Sequence, residues 1–163
     1  VPMFSNPLVS KGLSKTFMSM DFDMGGIYYM YPGAASALNY DFFETYLSAS
    51  KDLGLMSFTL TGNYSPEFFR ESGKAVYGNF SASMPVSMVD GLTLTAMVGR
   101  QYVKNPATYG GEKSYNDYGL SAEYSLDPTY SVSLGVYDTN LDKGESLYLD
   151  GPRFVAKLSA CIG

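Results

Sequence analysis

Several residue types on which catalysis and metal binding commonly depend are missing or scarce in this 163-residue chain. Without His, neither a Ser-His-Asp triad nor a His-based metal site can form. The single cysteine, Cys161, has no partner for an intrachain disulfide. We interpret it as a small apolar residue near a strand end rather than a reactive thiol. We therefore expect no enzymatic activity, no metal site and no cofactor.

Long apolar runs and charged residues are also scarce. No stretch approaches the ~20 consecutive apolar residues of a membrane helix. Charged residues make up 17% of the chain, and its 11 basic residues are scattered. This composition argues against disorder and against nucleic-acid binding. The opening "VPMFSNPLVSKG" lacks the basic and apolar regions of a signal peptide. We expect that a signal has been removed or that the chain begins inside a longer precursor.

The chain is rich instead in alternating β-patterns. In "SFTLTGNYSP" (57–66), Phe58, Leu60 and Tyr64 fall on one side of a strand, and hydroxyl and amide side chains fall on the other. We predict one β-domain over residues 1–163, with 1–15 as an uncertain N-terminal segment and a bulge or break at Gly25-Gly26. Eight strands are predicted, at 16–31, 39–52, 55–65, 74–85, 91–103, 115–126, 130–139 and 152–161.

The connections between these strands alternate between long and short. "PGAASAL", "PEFFRESG", "KNPATYGGEKS" and "NLDKGESLYLDG" are long, and the segments between them are tighter. An antiparallel up-and-down meander with its long loops at one end explains this alternation. Outer-membrane barrels have that asymmetry, so we predict an all-β transmembrane barrel, either complete or part of a larger one.

Two alternatives stay open for what the apolar side of the strands contacts. In a membrane barrel it meets lipid, so Leu60, Leu94, Leu120 and Leu134 must be exposed; in a soluble barrel or sandwich they form the core. Strands of 10–13 residues and small polar side chains on the opposite face favour the membrane. So do aromatic residues near strand ends, which suggest interfacial girdles. The girdle candidates are Tyr29, Tyr31, Phe43, Tyr64, Tyr102, Tyr118 and Tyr130.

The lumen of such a barrel would be narrow, because eight strands enclose little more than their own side chains. Charges inside would need partners, so Glu44, Glu123, Arg153 and Lys157 are predicted to form a charge network, unless Arg153 faces water at a strand end. The segment "DTNLDKGE" resembles a calcium loop but departs from the EF-hand pattern, and we interpret it as a solvated acidic loop. The lumen candidates are Glu44, Tyr46, Asn79, Glu123, Arg153 and Lys157.

Several segments together resemble the TorF-family porins of Gram-negative bacteria. They are "GGIYYMYPGA" (25–34), "NYDFFETYLSASKDLG" (39–54), "LTGNYSPEFFRESGKAVYGNFSASMPV" (60–86), "YNDYGLSAEYSL" and "SLGVYDTN". The resemblance covers roughly residues 22–140 and implies an outer-membrane β-barrel with passive solute passage. The chain departs from that family at both ends, since its N-terminal strands are not matched and "FVAKLSACIG" lacks a final aromatic residue.

These observations predict a bacterial outer-membrane protein that is not an enzyme. It would allow passive diffusion of small hydrophilic solutes or form a narrow, closed structural barrel. The alternative is a non-transport structural or binding β-protein, soluble or at the cell surface. The expected partners are the lipid bilayer and either further copies of the chain or other outer-membrane proteins, with no nucleic acid.

Overall fold

The computed structural model describes residues 6–31, 40–108, 112–141 and 151–160, and these form one antiparallel sheet with its strands in sequence order. Each strand pairs with its sequence neighbours, so the predicted all-β, up-and-down arrangement is confirmed. Within the described ranges, β1 and β9 are the two edges of the sheet. The strands are β1 (Asn6–Phe17), β2 (Met20–Met30), β3 (Phe42–Asp52), β4 (Ser57–Ser65), β5 (Ala75–Pro85), β6 (Leu92–Val103), β7 (Ser114–Ser125), β8 (Tyr130–Thr139) and β9 (Arg153–Ala160).

The first predicted strand, 16–31, is wrong at its start, and the uncertain segment 1–15 contains most of an additional strand. The chain reverses at Met18 and Ser19, whose φ angles of 51° and 57° form a tight turn without glycine. The predicted bulge at Gly25-Gly26 is also wrong, because this pair keeps regular register with both neighbouring strands. The irregularity lies in β1, between Pro7 and Val9.

The long and short connections lie at opposite ends of the strands. We call one the short-turn edge, with connections at 18–19, 53–56, 86–91 and 126–129. The other is the long-loop edge, with connections at 31–41, 66–74, 104–113 and 140–152. Aspartates fix two of the short turns: Asp52 accepts a hydrogen bond from the N–H of Gly54, and Asp127 accepts from those of Thr129 and Tyr130. Such side-chain to backbone bonds favour turns over continued strand.

The two sides of the sheet differ in polarity and exposure. We call them the apolar face, which includes Leu47, Leu60, Phe80, Val98, Leu120, Leu134 and Leu158, and the polar face, which includes Ser48, Thr61, Asn79, Ser83, Thr95, Ser121 and Ser133. Leu60, Leu94, Leu120 and Leu134 are 60%, 42%, 61% and 62% exposed. The small polar side chains are half-buried instead. A sheet that curves toward its polar side produces this difference.

A small core lies on the polar side of the long-loop edge. Phe42, Ser65, Ala75 and Val103 are almost fully buried there, next to the connection 66–74. That connection contains the short 3-10 turn Phe69–Glu71, and a second such turn is Pro106–Thr108. No helix in the described ranges is long and apolar enough to cross a membrane.

Candidate functional site

The polar face is lined by hydroxyl groups that bond to one another between strands. The Ser48 and Thr61 hydroxyls lie 2.9 Å apart across β3 and β4, and the Ser83 and Thr95 hydroxyls lie 2.9 Å apart across β5 and β6. Such cross-strand pairs stabilise a sheet and keep its surface hydrophilic. Small hydroxyl groups are therefore a large part of the surface in the short-turn half of this face.

Tyrosine–carboxylate pairs occupy the other half of the polar face. The Tyr77 hydroxyl donates to Asp117 Oδ2 over 2.9 Å, and it also accepts a 3.2 Å bond from Asn79. Tyr46 with Asp23, and Tyr29 with Glu44, are two further tyrosine–carboxylate neighbours on this face. Hydrogen bonds to an ionised acceptor are stronger than those between neutral groups. The pairs therefore fix large side chains in place across neighbouring strands.

Glycines make room for the rings of Tyr77 and Tyr137 on the polar face. A Cβ at Gly99 would collide with the Tyr77 hydroxyl and with Asp117 Oδ1. A Cβ at Gly119 would lie 2.5 Å from the ring of Tyr137, which also passes over Gly135. The rings therefore lie flat along the sheet instead of standing upright. This arrangement lines the face with tyrosines while leaving space above it.

The connection 66–74 lies against the polar face at the long-loop edge. The Phe68 ring packs against Phe42, with centroids 4.8 Å apart, and Phe42 stacks on Tyr29 at 4.6 Å. Backbone bonds hold the segment at its far side, from the Asn105 N–H to Ser72 O and from the Lys104 N–H to Lys74 O. The loop is thus anchored to β3 on one side and to the residues that follow β6 on the other.

The same loop joins an aromatic cluster beyond the strand ends. Phe69 stacks on Tyr40 with centroids 4.7 Å apart and contacts Tyr31 at 5.4 Å. The Arg70 guanidinium lies 5.9 Å from the centroid of the Tyr40 ring. Arg70 and Glu71 have φ angles of 58° and 54°, an uncommon conformation for residues with a Cβ. A segment held in this conformation by several ring contacts has a defined position.

All six lumen candidates lie on the polar face, and Glu44 lies apart from the other three residues of the predicted charge network. Glu44 is buried on β3, where it accepts a 3.4 Å bond from Asn63, and β3 is six strands away from β9. Glu123 and Lys157 share a row, with Ser133 between them. Partners for the carboxylates come from tyrosines and amides on nearby strands. Arg153 pairs in register with Tyr137, and Tyr46 and Asn79 make the contacts described above.

The predicted aromatic girdle divides between the two faces. Phe43, Tyr64, Tyr102, Tyr118 and Tyr130 are exposed on the apolar face. Tyr29 packs against Phe42 on the polar face instead, and Tyr31 joins the aromatic cluster with Phe69. Alternation would have assigned Tyr29 correctly, since it opposes Tyr28 across β2. Tyr28 is an exposed member of the apolar face that the sequence prediction omitted.

The chemistry available on this face is hydrogen bonding and charge. In the part of the chain that the structure describes, no cluster of His, Cys, Asp or Glu could hold a metal ion. The second half of the calcium-like segment "DTNLDKGE", residues 142–145, lies outside the described residues, as does Cys161. Sequence reasoning missed Asp23, Tyr77 and Asp117, although the spacing Tyr77-x-Asn79 on an alternating strand already placed a tyrosine on the polar side.

Comparison with known proteins identifies a family but no activity. A family described as "bacterial protein of unknown function (Gcw_chp)" matches residues 9–162. No curated protein matches the chain. A solved structure titled "structure of porin refined at 1.8 angstroms resolution" is 16% identical, with a TM-score of 0.49. The match covers 90% of this chain and 48% of that one, so the chain spans about half the length of the porin.

Proposed function

The chain belongs to this bacterial family of unknown function, and we propose that it is an outer-membrane β-barrel protein giving small hydrophilic solutes a passive route. The single observation that carries the proposal is the reversed exposure of the sheet. Its large apolar side chains, including Leu60, Leu120 and Leu134, are exposed, while its small polar side chains are sheltered. In soluble sheets the apolar side packs on the core.

A bilayer is the environment that suits such a surface. Soluble monomers rarely expose contiguous apolar patches larger than about 300–600 Å². Here the apolar side chains extend over neighbouring strands from Leu47 on β3 to Leu158 on β9, and no second layer covers them in the described residues. Most of the strands have 9–12 residues, close to the ~9–11 of a tilted transmembrane strand. The resemblance to TorF-family porins, which remains a prediction, points to the same location.

The polar face would then line the interior. Its charged side chains are mostly acidic, so an open interior would favour small cations and neutral solutes over anions. The anchored connection 66–74 and the flat tyrosines would keep the passage narrow, which favours small solutes. The carboxylates on this face are Asp21, Asp23, Glu44, Asp52, Asp117 and Glu123, and the bases are Arg153 and Lys157. Passive diffusion needs no catalytic group and no cofactor.

The sheet edges need partners in this setting, because lipid cannot satisfy exposed backbone groups. β1 and β9 run in the same direction, since eight antiparallel steps separate them. They could meet each other only as a parallel pair, whereas one further strand between them would be antiparallel to both. We propose that the backbone groups of the edge strands β1 and β9 are paired in the membrane. The bilayer, together with further copies of the chain or other outer-membrane proteins, then surrounds the sheet.

Reconstitution tests the proposal. The purified protein is mixed with phosphatidylcholine vesicles, which are then floated on a density gradient, and folding is followed as a heat-modifiable band on gels. Planar-bilayer recordings then measure conductance and, under a KCl gradient, the reversal potential. We expect co-flotation, discrete current steps and a preference for K⁺ over Cl⁻. A folded band without current would instead indicate a closed structural barrel, and a folded protein that stays out of the vesicles would refute the membrane assignment.

A further inference from the structure

A group of basic residues lies at the long-loop edge of the apolar face. We call it the basic rim: Lys74, Arg100, Lys104 and Lys113. Arg100 and Tyr102 are on the apolar side of β6, and Lys104 follows where that strand ends. The Lys113 ammonium lies 5.7 Å from the centroid of the Tyr102 ring. All four basic side chains are exposed, and Arg100 and Lys113 lie beside the apolar surface.

The rim holds like charges close together. The Lys104 N–H donates to Lys74 O over 2.9 Å, which places these two lysines opposite each other across β5 and β6. Like charges directly opposite on a sheet repel. Carboxylates also lie beside the rim: Glu67 accepts a hydrogen bond from the N–H of Gly73, next to Lys74, and Glu112 precedes Lys113 in the chain. Arg100 pairs in register with Gly78 and Asn116, which carry no charge, so its guanidinium offers positive charge to an anion.

A shallow trough leads to this charge. Gly62, Gly78 and Arg100 are aligned across β4, β5 and β6, and Arg100 continues the row to Asn116 on β7. A Cβ at Gly62 or Gly78 would meet no atom within 4 Å. The Arg100 guanidinium is bonded to Asn116 Oδ1 at 3.4 Å, a long bond that occupies one of its five N–H groups. The surface of the trough beside Arg100 is therefore open. Most N–H donors of the Arg100 guanidinium are available to a ligand.

The rows on either side of the trough are apolar or aromatic. Leu60, Phe80 and Val98 form one row, and Tyr64, Val76 and Tyr102 form the other. Exposed tyrosines at a strand end mark the level at which headgroups meet hydrocarbon in a membrane. A ligand here would contact apolar side chains on one side and positive charge on the other. This combination matches a lipid better than a free ion.

We propose that the basic rim and its glycine trough bind the phosphate group of an anionic membrane lipid. The inference rests on the proposed membrane location of the apolar face. Arg100 would hold phosphate oxygens through its planar fork of N–H groups, and the three lysines would add point charges around them. Gly62 and Gly78 would give the headgroup access to the sheet. Lipid bound there would sit in the leaflet that meets the long-loop edge.

Lipid retention measured by native mass spectrometry tests this proposal. The protein, released from detergent micelles containing phosphatidylglycerol or phosphatidylcholine, should retain phosphatidylglycerol selectively. Arg100→Gln combined with Lys104→Gln should weaken its binding, by roughly fivefold for each charge removed. Gly78→Leu should weaken binding with no change in charge, because the side chain fills the trough. Lys51→Gln is the matched control, since Lys51 is an exposed lysine of the apolar side at the short-turn edge and should bind as the wild type does.

The outcomes separate this inference from the proposed function. Equal retention of both lipids by a protein that inserts into vesicles would overturn the lipid site alone. So would wild-type binding by the Arg100→Gln, Lys104→Gln variant. Complete displacement of phosphatidylglycerol by excess inorganic phosphate would show a free-anion site and would also overturn it. A protein that folds but enters no vesicle would overturn both proposals. Heat modifiability of each variant shows that it has folded.

Discussion

Replacing a leucine in the middle of β8 tests which environment the apolar face meets. Leu134 is 62% exposed, so in a bilayer most of its side chain contacts lipid. Scaling the ~1.5–3 kcal/mol for transferring a whole leucine by this fraction gives about 1–2 kcal/mol. An arginine near the bilayer midplane costs a further ~2–4 kcal/mol. Leu134→Arg should therefore lower the free energy of unfolding in vesicles by about 3–6 kcal/mol, measured by urea titration with far-UV circular dichroism.

The control for this measurement is a second leucine at a different depth. Leu126 is also exposed, at 56%, but it lies in the short turn after β7. Leu126→Arg should cost only ~0–1 kcal/mol for the charge, because arginine is tolerated near the interface. A difference between the two variants of less than about 0.5 kcal/mol, the usual spread of substitutions on a water-exposed surface, would refute a lipid-facing assignment.

Three further substitutions test contacts of the polar face, and a fourth, at Gly78 on the apolar face, is a control. Gly99→Ala should lower the unfolding free energy by about 1–3 kcal/mol, since its Cβ collides with Tyr77 and Asp117. Gly78→Ala should cost nothing measurable or stabilise slightly; equal urea midpoints for the two variants would contradict the packing. Tyr77→Phe, which removes the hydrogen bond to Asp117 and the one accepted from Asn79, should cost about 1–3 kcal/mol by the same titration. Phe68→Ala should loosen the connection 66–74, giving faster protease cleavage there and a larger conductance in bilayers; unchanged cleavage would show that the ring does not anchor the loop.

Alternation in the sequence was enough to place eight of the nine strands and to separate their two faces. It worked because Thr, Ser and Asn alternate cleanly with Leu, Phe and Val in strands such as β4 and β5. It failed for β1, where Lys15 lies on the same side as Leu13 and Phe17 and interrupts the polarity pattern. The turn that ends β1 has no signal in the sequence either, because Met18 and Ser19 adopt positive φ without any Gly, Asn or Asp.

The contacts between polar-face residues could not be predicted, because they depend on register. The Tyr77 hydroxyl reaches a carboxylate forty positions away because Asn79 pairs with Gly99, and Gly99 pairs with Asp117. A shift of one residue would turn the tyrosine to the other side of the sheet. Opposite charges were expected to satisfy one another, but each carboxylate can accept hydrogen bonds from neutral donors on neighbouring strands. This explains why Glu44 is buried next to Asn63 and Tyr29, far from any basic residue of β9.

The distribution of charge between the two faces links the two proposals. Acidic side chains on the polar face would attract cations to the interior, while the basic rim on the apolar face would hold anionic lipid at its outer boundary. Because the sheet is one layer thick, both features follow from alternation along the same strands: on β6 and β7, Arg100 points to the apolar side and Asp117 to the polar side. Removing the charge at one of these positions should alter only the property of its own face. Asp117→Asn should reduce cation preference in bilayer recordings without changing lipid retention, and Arg100→Gln should do the opposite.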